Sequence, residues 1–163
     1  SLSDVLHEGV NGGTDEVLSP FSYTLGSRFE NLSLTGPAHI DGTGNSLGNL
    51  IVGNVGNNVI DGADGPDAIR GRMGDDTIIT GLGNDTIIFA DGDGNDTVTD
   101  FTAGQSSDDL FDLTGVAGLN DFNDVLALAA DNGTDTTVTF DPGNSITILG
   151  VQFAELHADD FLV

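Results

Sequence analysis

Cysteine is absent from the chain, so neither a disulfide nor a thiolate metal site holds it together. Basic residues are almost absent too: 3 Lys and Arg stand against 27 Asp and Glu, for a formal net charge of -24. Nothing on such a surface neutralises phosphates, which excludes nucleic acid as a partner. An anionic membrane or acidic polysaccharide is disfavoured for the same reason unless cations intervene. Glutamate occurs only at Glu8, Glu16, Glu30 and Glu155, so the acidity is almost all aspartate, a residue of turns, caps and metal loops rather than of helices. Tryptophan is missing, and aromatics make up 6% of the chain. No apolar run is long enough to span a membrane, and no signal-peptide pattern is legible in the first residues of this sequence. The chain opens on Ser1 rather than Met, as an excerpt of a longer protein is expected to do.

Catalytic constellations are missing as well. His7-Glu8 begins like H-E-x-x-H, but Asn11 follows Val10 and Gly12 is no ligand. No G-x-S-x-G occurs; Ser46 sits in GNSLG and Ser145 in GNSIT. His7, His39 and His157 stand apart from one another and read as surface or packing residues. The segment itself therefore reads as no enzyme.

What is present is a repeat. Rows of nine residues run GNSLGNLIV (44–52), GNVGNNVID (53–61), GADGPDAIR (62–70), GRMGDDTII (71–79) and TGLGNDTII (80–88). After Phe89-Ala90 comes a last unit, DGDGNDTVT (91–99). The sixth position holds Asn49, Asn58, Asp67, Asp76, Asp85 and Asp96; the eighth holds Ile51, Ile60, Ile69, Ile78, Ile87 and Val98. Glycine occupies the fourth position throughout, except at Leu47.

Each unit reads as a six-residue turn followed by a three-residue strand, with the eighth side chain inward and its neighbours outward. One inward side chain per strand cannot hold a free hairpin, whereas two facing stacks of such strands bury a continuous column. Nine residues then make half a coil. Asn49, Asp67 and Asp85 line one edge, and Asn58, Asp76 and Asp96 the other. Carboxylates stacked at a strand spacing of roughly 4.8 Å repel one another. A hard divalent cation reverses the sign, and Ca²⁺ takes oxygen ligands in flexible geometry that glycine turns and aspartates supply.

These rows resemble the G-G-x-G-x-D-x-(aliphatic)-x nonapeptide of RTX, or haemolysin-type calcium-binding, proteins. The resemblance implies an all-β fold, a right-handed parallel β-roll (a β-solenoid), with residues 44–99 as its calcium-binding part. It also implies the ligand sets, in which one turn gives its second and fourth carbonyls with its aspartate. The turn 18 residues on gives its first and third carbonyls with its own aspartate. One site then uses Ala63, Gly65 and Asp67 with Thr80, Leu82 and Asp85. A second uses Arg72, Gly74 and Asp76 with Asp91, Asp93 and Asp96. A third joins Asn54, Gly56 and Asn58 to Gly71, Met73 and Asp76; a fourth joins Asn45, Leu47 and Asn49 to Gly62, Asp64 and Asp67. The last two lack a carboxylate and are expected to be weaker or empty. Gly81, Gly83 and Asp85 face a further turn, for which Asp100, Asp108 and Asp109 are unassigned partners. About two to five Ca²⁺ ions are expected in all. DGDGND (91–96) starts like an EF-hand but lacks Gly at 96 and Glu at the twelfth position, where Thr102 stands.

Residues 1–43 read as leading turns with little or no metal: Leu32 and Leu34 share a face, with Tyr23 and Leu25 on an earlier strand. Asn31 lies 18 residues before Asn49, yet Ser33 then falls in the inward slot, so the calcium register stops short of it. Residues 100–163 read as a cap for the open end. Phe101, Leu110, Phe111 and Leu113 lead into a helix over 121–133, capped by Asp121, closed at Gly133 and burying Phe122, Val125, Leu126 and Ala129. A hairpin follows over 136–150, with Val138, Phe140, Ile146 and Ile148 alternating around DPGN. The cap is similar to that of RTX proteases and lipases, and Asp160, Phe161, Leu162 and Val163 are similar to their type I secretion signal. The same four residues also read as a last strand tucked into the cap. Thr77, Thr86 and Thr97 are expected to form an outward threonine row.

Two functional readings follow from the resemblance. One is a secreted, extracellular calcium-binding module that folds on meeting calcium and supports type I export of a larger protein, with the secretion machinery as its partner. The other is a calcium-dependent module that binds a polysaccharide or acts in adhesion. Against the second, the cations are just Arg28, Arg70 and Arg72, and no basic groove for an acidic glycan is legible.

Overall fold

The computed structural model describes residues 13–104 and 109–163. Successive short strands are dealt alternately into two sheets. One takes β1 (Glu16–Ser19), β3 (Asn31–Leu34), β5 (Leu50–Val52), β7 (Ala68–Arg70), β9 (Thr86–Ala90), β11 (Leu110–Gly115) and β15 (Phe161–Leu162), in that order. The other runs from β2 (Tyr23–Thr24) through β4 (Gly42–Thr43), β6 (Val59–Asp61), β8 (Thr77–Ile79) and β10 (Asn95–Val98). It continues with β14 (Asn144–Ile148), β13 (Thr136–Asp141) and β12 (Ala129–Asp131). Pairing is parallel everywhere except in the β12–β13–β14 meander. This is the parallel β-roll that the nonapeptide pattern implies, because each nine-residue unit is half a coil and returns to its own sheet every second time.

The inward positions stack in register. Val17, Leu32, Ile51, Ile69, Ile87, Phe111 and Phe161 form one column, one residue from each strand of the first sheet. Ile60, Ile78, Val98 and Ile148 form the facing column. All are buried, and each isoleucine stabilises the fold by roughly 1.5–3 kcal/mol relative to exposure. The leading turns join this column through a slip. Leu32, not Ser33, pairs with Ile51, a spacing of 19 rather than 18, so the apolar residue takes the inward slot that strict periodicity would give to a serine.

The end cap differs from expectation in one element. The helix, α1, covers Phe122–Leu128 and is capped by Asp121, whose side chain accepts the Asn123 and Asp124 N–H groups. It ends at Leu128 rather than near Gly133, because Ala129–Asp131 pair antiparallel with Thr136–Val138 instead. Gly133, at φ 95°, belongs to that strand connection, which Asn132 closes by accepting the Thr134 and Asp135 N–H groups. Of the four apolar residues expected inside, Val125 is buried and Phe122, Leu126 and Ala129 are half-buried. The hairpin β13–β14 forms as read, with Val138, Ile146 and Ile148 buried. Phe101 stacks on Phe111 at 4.4 Å; Phe161 stacks on Phe111 and on Phe122, both at 5.5 Å, closing the roll with aromatic area.

The expected threonine row splits. Thr77 and Thr97 pair on the second sheet, while Thr86 lies on the first, because neighbouring repeats are half a coil apart. Thr97 and Thr147 pair across adjacent strands, and Thr147 meets Thr137 at 3.1 Å between hydroxyls.

Candidate metal centre

The sixth-position side chains are buried and form two ladders, one along each edge of the roll. On one edge Asp67 Oδ1 accepts the Asn49 N–H at 2.7 Å, Asp85 Oδ1 accepts the Asp67 N–H at 2.8 Å, and Asp109 Oδ1 accepts the Asp85 N–H at 3.1 Å. On the other, Asp76 Oδ1 accepts the Asn58 N–H at 2.7 Å and Asp96 Oδ1 accepts the Asp76 N–H at 3.0 Å. Each aspartate thus reaches back one coil. Its second oxygen is the informative one: Oδ2 of Asp67, Asp76 and Asp85 is buried without a hydrogen-bond partner. A buried carboxylate oxygen left unpaired is costly, and natural proteins reserve such atoms for ions or chemistry.

Burial acts on these carboxyls first. It pushes Asp67 up to about 7, Asp76 and Asp85 to about 6, and Asp96 to about 8. Backbone N–H donors oppose the rise, and neighbouring carboxylates add to it. At neutral pH the protein alone makes these stacks uncomfortable, and a divalent cation relieves both causes.

Main-chain oxygens converge on the same gaps. The turn at 62–67 holds Ala63 at φ 74° and Gly65 at φ 114°; the turn at 71–76 holds Arg72 at φ 71° and Gly74 at φ 125°. Two non-glycine residues in the left-handed region mark turns whose carbonyl direction matters more than local comfort. The Ala63 carbonyl faces the next coil so closely that a Cβ at Gly81 would lie 1.8 Å from its oxygen. The Gly65 and Gly74 carbonyls face Gly83 and Gly94 in the same manner, while the Thr80 carbonyl faces back toward Gly62. Second- and fourth-position carbonyls pointing forward, first-position carbonyls pointing back, and aspartates between them make an all-oxygen donor set suited to calcium. Within the first candidate site the Ala63 carbonyl also accepts the Leu82 N–H at 2.8 Å, and the Leu82 carbonyl accepts the Gly65 N–H at 2.7 Å. Each retains a second lone pair.

The remaining sequence-derived residues divide. In the second candidate site Asp76 and Asp96 meet, but the side chains of Asp91 and Asp93 turn elsewhere. Asp93 pairs with Arg70 at 3.1 Å and accepts the Ala90 N–H, and exposed Asp91 accepts the Ala117 N–H. Only their carbonyls are at issue for that site. In the third, Asn58 and Asp76 meet through the ladder bond, with Gly71 in the facing turn and the Met73 side chain exposed. In the fourth, Asn49 and Asp67 meet likewise, with Asn45 bonded to Asn49 and the Gly62 carbonyl facing Gly44, while Asp64 bridges to Leu82 of the following coil. Asp100 binds backbone: its carboxylate accepts the Thr80 and Gly81 N–H groups. Asp108 and His7 lie outside the described residues. His39 joins a separate outer ladder, its Nδ1 accepting the Asn57 N–H.

Sequence reasoning named Asp109 only as one of three unassigned partners for the turn at Asp85. Asp109 continues the first edge 24 residues after Asp85, and its other oxygen accepts the Thr102 N–H. No periodicity signals it, because the connection after Asp100 has its own length.

The RTX calcium-binding nonapeptide repeat matches this chain, in four copies, over residues 43–71 and 52–87. The chain is 40% identical to the endo-1,3-1,4-beta-glycanase EglC of Rhizobium meliloti (strain 1021), over 96% of its own length but 32% of that protein. It therefore spans about a third of that relative. The AlgE6R3 subunit of the Azotobacter vinelandii mannuronan C5-epimerase has the same fold, with a TM-score of 0.56 and 24% identity over 87% of this chain and 82% of that one. The extracellular lipase LipA of Serratia marcescens aligns at a TM-score of 0.46 and 12% identity, over 80% of this chain and 41% of the lipase.

Proposed function

Between residues 43 and 87 the chain belongs to the RTX calcium-binding nonapeptide family, and from that premise we propose that it folds on binding extracellular calcium and supports the export and stability of a larger protein. The observation that carries this reading is the set of unpartnered, buried Oδ2 atoms on Asp67, Asp76 and Asp85, set between turns whose carbonyls face one another. Ala63, Gly65 and Asp67 with Thr80, Leu82 and Asp85 would hold one ion, and Arg72, Gly74 and Asp76 with Asp91, Asp93 and Asp96 a second. The ion supplies positive charge where the stacked coils have only oxygen; the chain supplies the ladder that keeps those oxygens at strand spacing.

Where calcium is scarce, a chain of net charge -24 resists compaction and stays threadable. At extracellular calcium, sites with affinities of about 10⁻⁴–10⁻³ M fill as the coils form, so binding energy becomes folding energy. Among the described residues no helix is long and apolar enough to cross a membrane. The C-terminal Asp160–Val163 stretch serves as the export signal in this reading while also containing β15. Deleting it and assaying export from a cell with a type I system tests that role; undiminished export contradicts it.

A second reading is favoured by the glycanase relative: the module binds the polysaccharide on which its parent protein acts. An open groove of about 490 Å³ lined by Leu50, Ala68, Asn84 and Thr86 offers a place. Titrating mixed-linkage β-glucan into the calcium-saturated chain separates the two readings, since the export reading requires no glycan binding.

A further inference from the structure

The first two repeats carry asparagine where the later ones carry aspartate, and the exchange alters how the coils are joined. Asn49 Oδ1 accepts the Asn45 N–H of its own turn at 2.7 Å, and Asn58 Oδ1 accepts the Asn54 N–H at 3.0 Å. Their amide nitrogens reach back one coil. Asn49 Nδ2 donates to the Phe29 and Glu30 carbonyls at 3.3 and 3.2 Å, and Asn58 Nδ2 donates to the Ile40 carbonyl and to Asn54 Oδ1. The residue four earlier completes each pair. Asn45 Oδ1 accepts the Leu47 N–H while its Nδ2 donates to the Gly26 and Phe29 carbonyls. Asn54 Oδ1 accepts the Gly56 N–H while its Nδ2 donates to the Ala38 carbonyl.

The aspartate coils use the same place differently. A Cβ on the first glycine of a turn would lie 2.6 Å from Asn49 Oδ1 (at Gly44), from Asn58 Oδ1 (at Gly53) and from Asp67 Oδ2 (at Gly62), and 2.2 Å from Asp76 Oδ2 (at Gly71). The four oxygens occupy equivalent positions. In the asparagine coils that oxygen receives the N–H of the second residue. In the aspartate coils the second residue, Ala63 or Arg72, has turned to φ 74° or 71°, and the oxygen has no partner.

We infer that the pairs Asn45–Asn49 and Asn54–Asn58 are built-in replacements for a cation, joining the leading coils through side-chain amides where later coils use calcium. The inference rests on reading the aspartate turns as calcium sites. An amide N–H aimed at a carbonyl does what a cation does there, presenting positive charge to a lone pair, and it carries no net charge to repel the next aspartate. The coils up to residue 61 then form without calcium and offer a finished edge on which the calcium-dependent coils stack, which lowers the cost of starting the roll. The asparagines also set where the metal row begins, at the step between Asp67 and Asp85 on one edge and between Asp76 and Asp96 on the other.

Two measurements on the full chain test this. Native mass spectrometry in saturating calcium counts ions for the wild type and for the double variant Asn54→Gly/Asn58→Asp; the variant is expected to hold one more. An unchanged count overturns the inference. Hydrogen exchange of the wild type in chelator reads the coils separately, whatever the variant's fate. Protection is expected over residues 44–61 and fast exchange over 71–99; equal loss of protection across both overturns the inference. A wild type that binds no calcium overturns the calcium reading itself, and this inference with it.

Discussion

Asp67 accepts the Asn49 backbone N–H through Oδ1 at 2.7 Å, while its Oδ2, equally buried, has no hydrogen-bond partner. One oxygen sets the spacing of the coils, and the other is the atom proposed to meet an ion. The same division recurs at Asp76 and Asp85, so each side chain joins a ladder bond to an unpartnered oxygen, the proposed ligand atom.

Replacing that ligand separates the two roles. Asp85→Asn keeps an oxygen for the Asp67 N–H but removes a carboxylate from the first candidate site. Calcium affinity is expected to fall by on the order of tenfold. The metal-free variant is expected to be more stable than metal-free wild type at pH 8, because a buried charge has been removed. Isothermal calcium titration and chelated urea melts check both halves; equal affinity contradicts the assignment.

The pH dependence has a definite sign. Burial raises the folded-state carboxyls from 3.8 to about 7 at Asp67, about 6 at Asp76 and Asp85, and about 8 at Asp96. Groups raised in the folded state stabilise it fully below their ordinary value and lose that contribution as pH climbs through the raised one. In chelator the roll is therefore expected to be folded near pH 5 and to lose structure progressively toward pH 8. Near pH 6, where the chelated roll is still folded and its carboxyls still hold protons, calcium binding is expected to release them, seen as a dependence of binding heat on buffer ionisation enthalpy. A chelated protein that gains structure as pH rises contradicts this account.

Gly81→Ala probes the carbonyl row. Gly81 sits at φ 92°, and a Cβ there meets the Ala63 carbonyl oxygen at 1.8 Å. The left-handed backbone alone costs about 1–2 kcal/mol, and relieving the clash displaces a candidate ligand. Both stability and calcium affinity are expected to drop, whereas Gly92→Ala, where φ is also positive but nothing lies within 4 Å, should lose stability alone.

The C-terminal strand is a structural part of the cap. Phe161 is buried between Phe111 and Phe122, and Asp160 accepts the His157 N–H at 2.7 Å. Phe161→Ala is expected to destabilise the calcium-loaded fold by roughly 3–5 kcal/mol, read from urea melts in saturating calcium.

Much of this was legible in the residues. The sixth and eighth positions alone placed the two columns and the two aspartate edges, because a nine-residue period with one inward aliphatic admits few packings. Three features were not legible. Leu32 reaches the inward slot through a one-residue slip that only the competition with Ser33 for burial decides. The end of α1 depends on Ala129–Asp131 finding a strand partner in Thr136–Val138, a tertiary effect that overrides a continuous helical pattern. The amide joints at Asn49 and Asn58 depend on which atoms the neighbouring coil presents, which the identity of one residue cannot convey.

Circular dichroism during a calcium titration of chelator-stripped protein tests the central claim most directly. The account predicts a cooperative gain of β signal between micromolar and millimolar calcium at pH 7.5, not reproduced by magnesium. A spectrum already fully β without calcium, and unmoved by its addition, would contradict it.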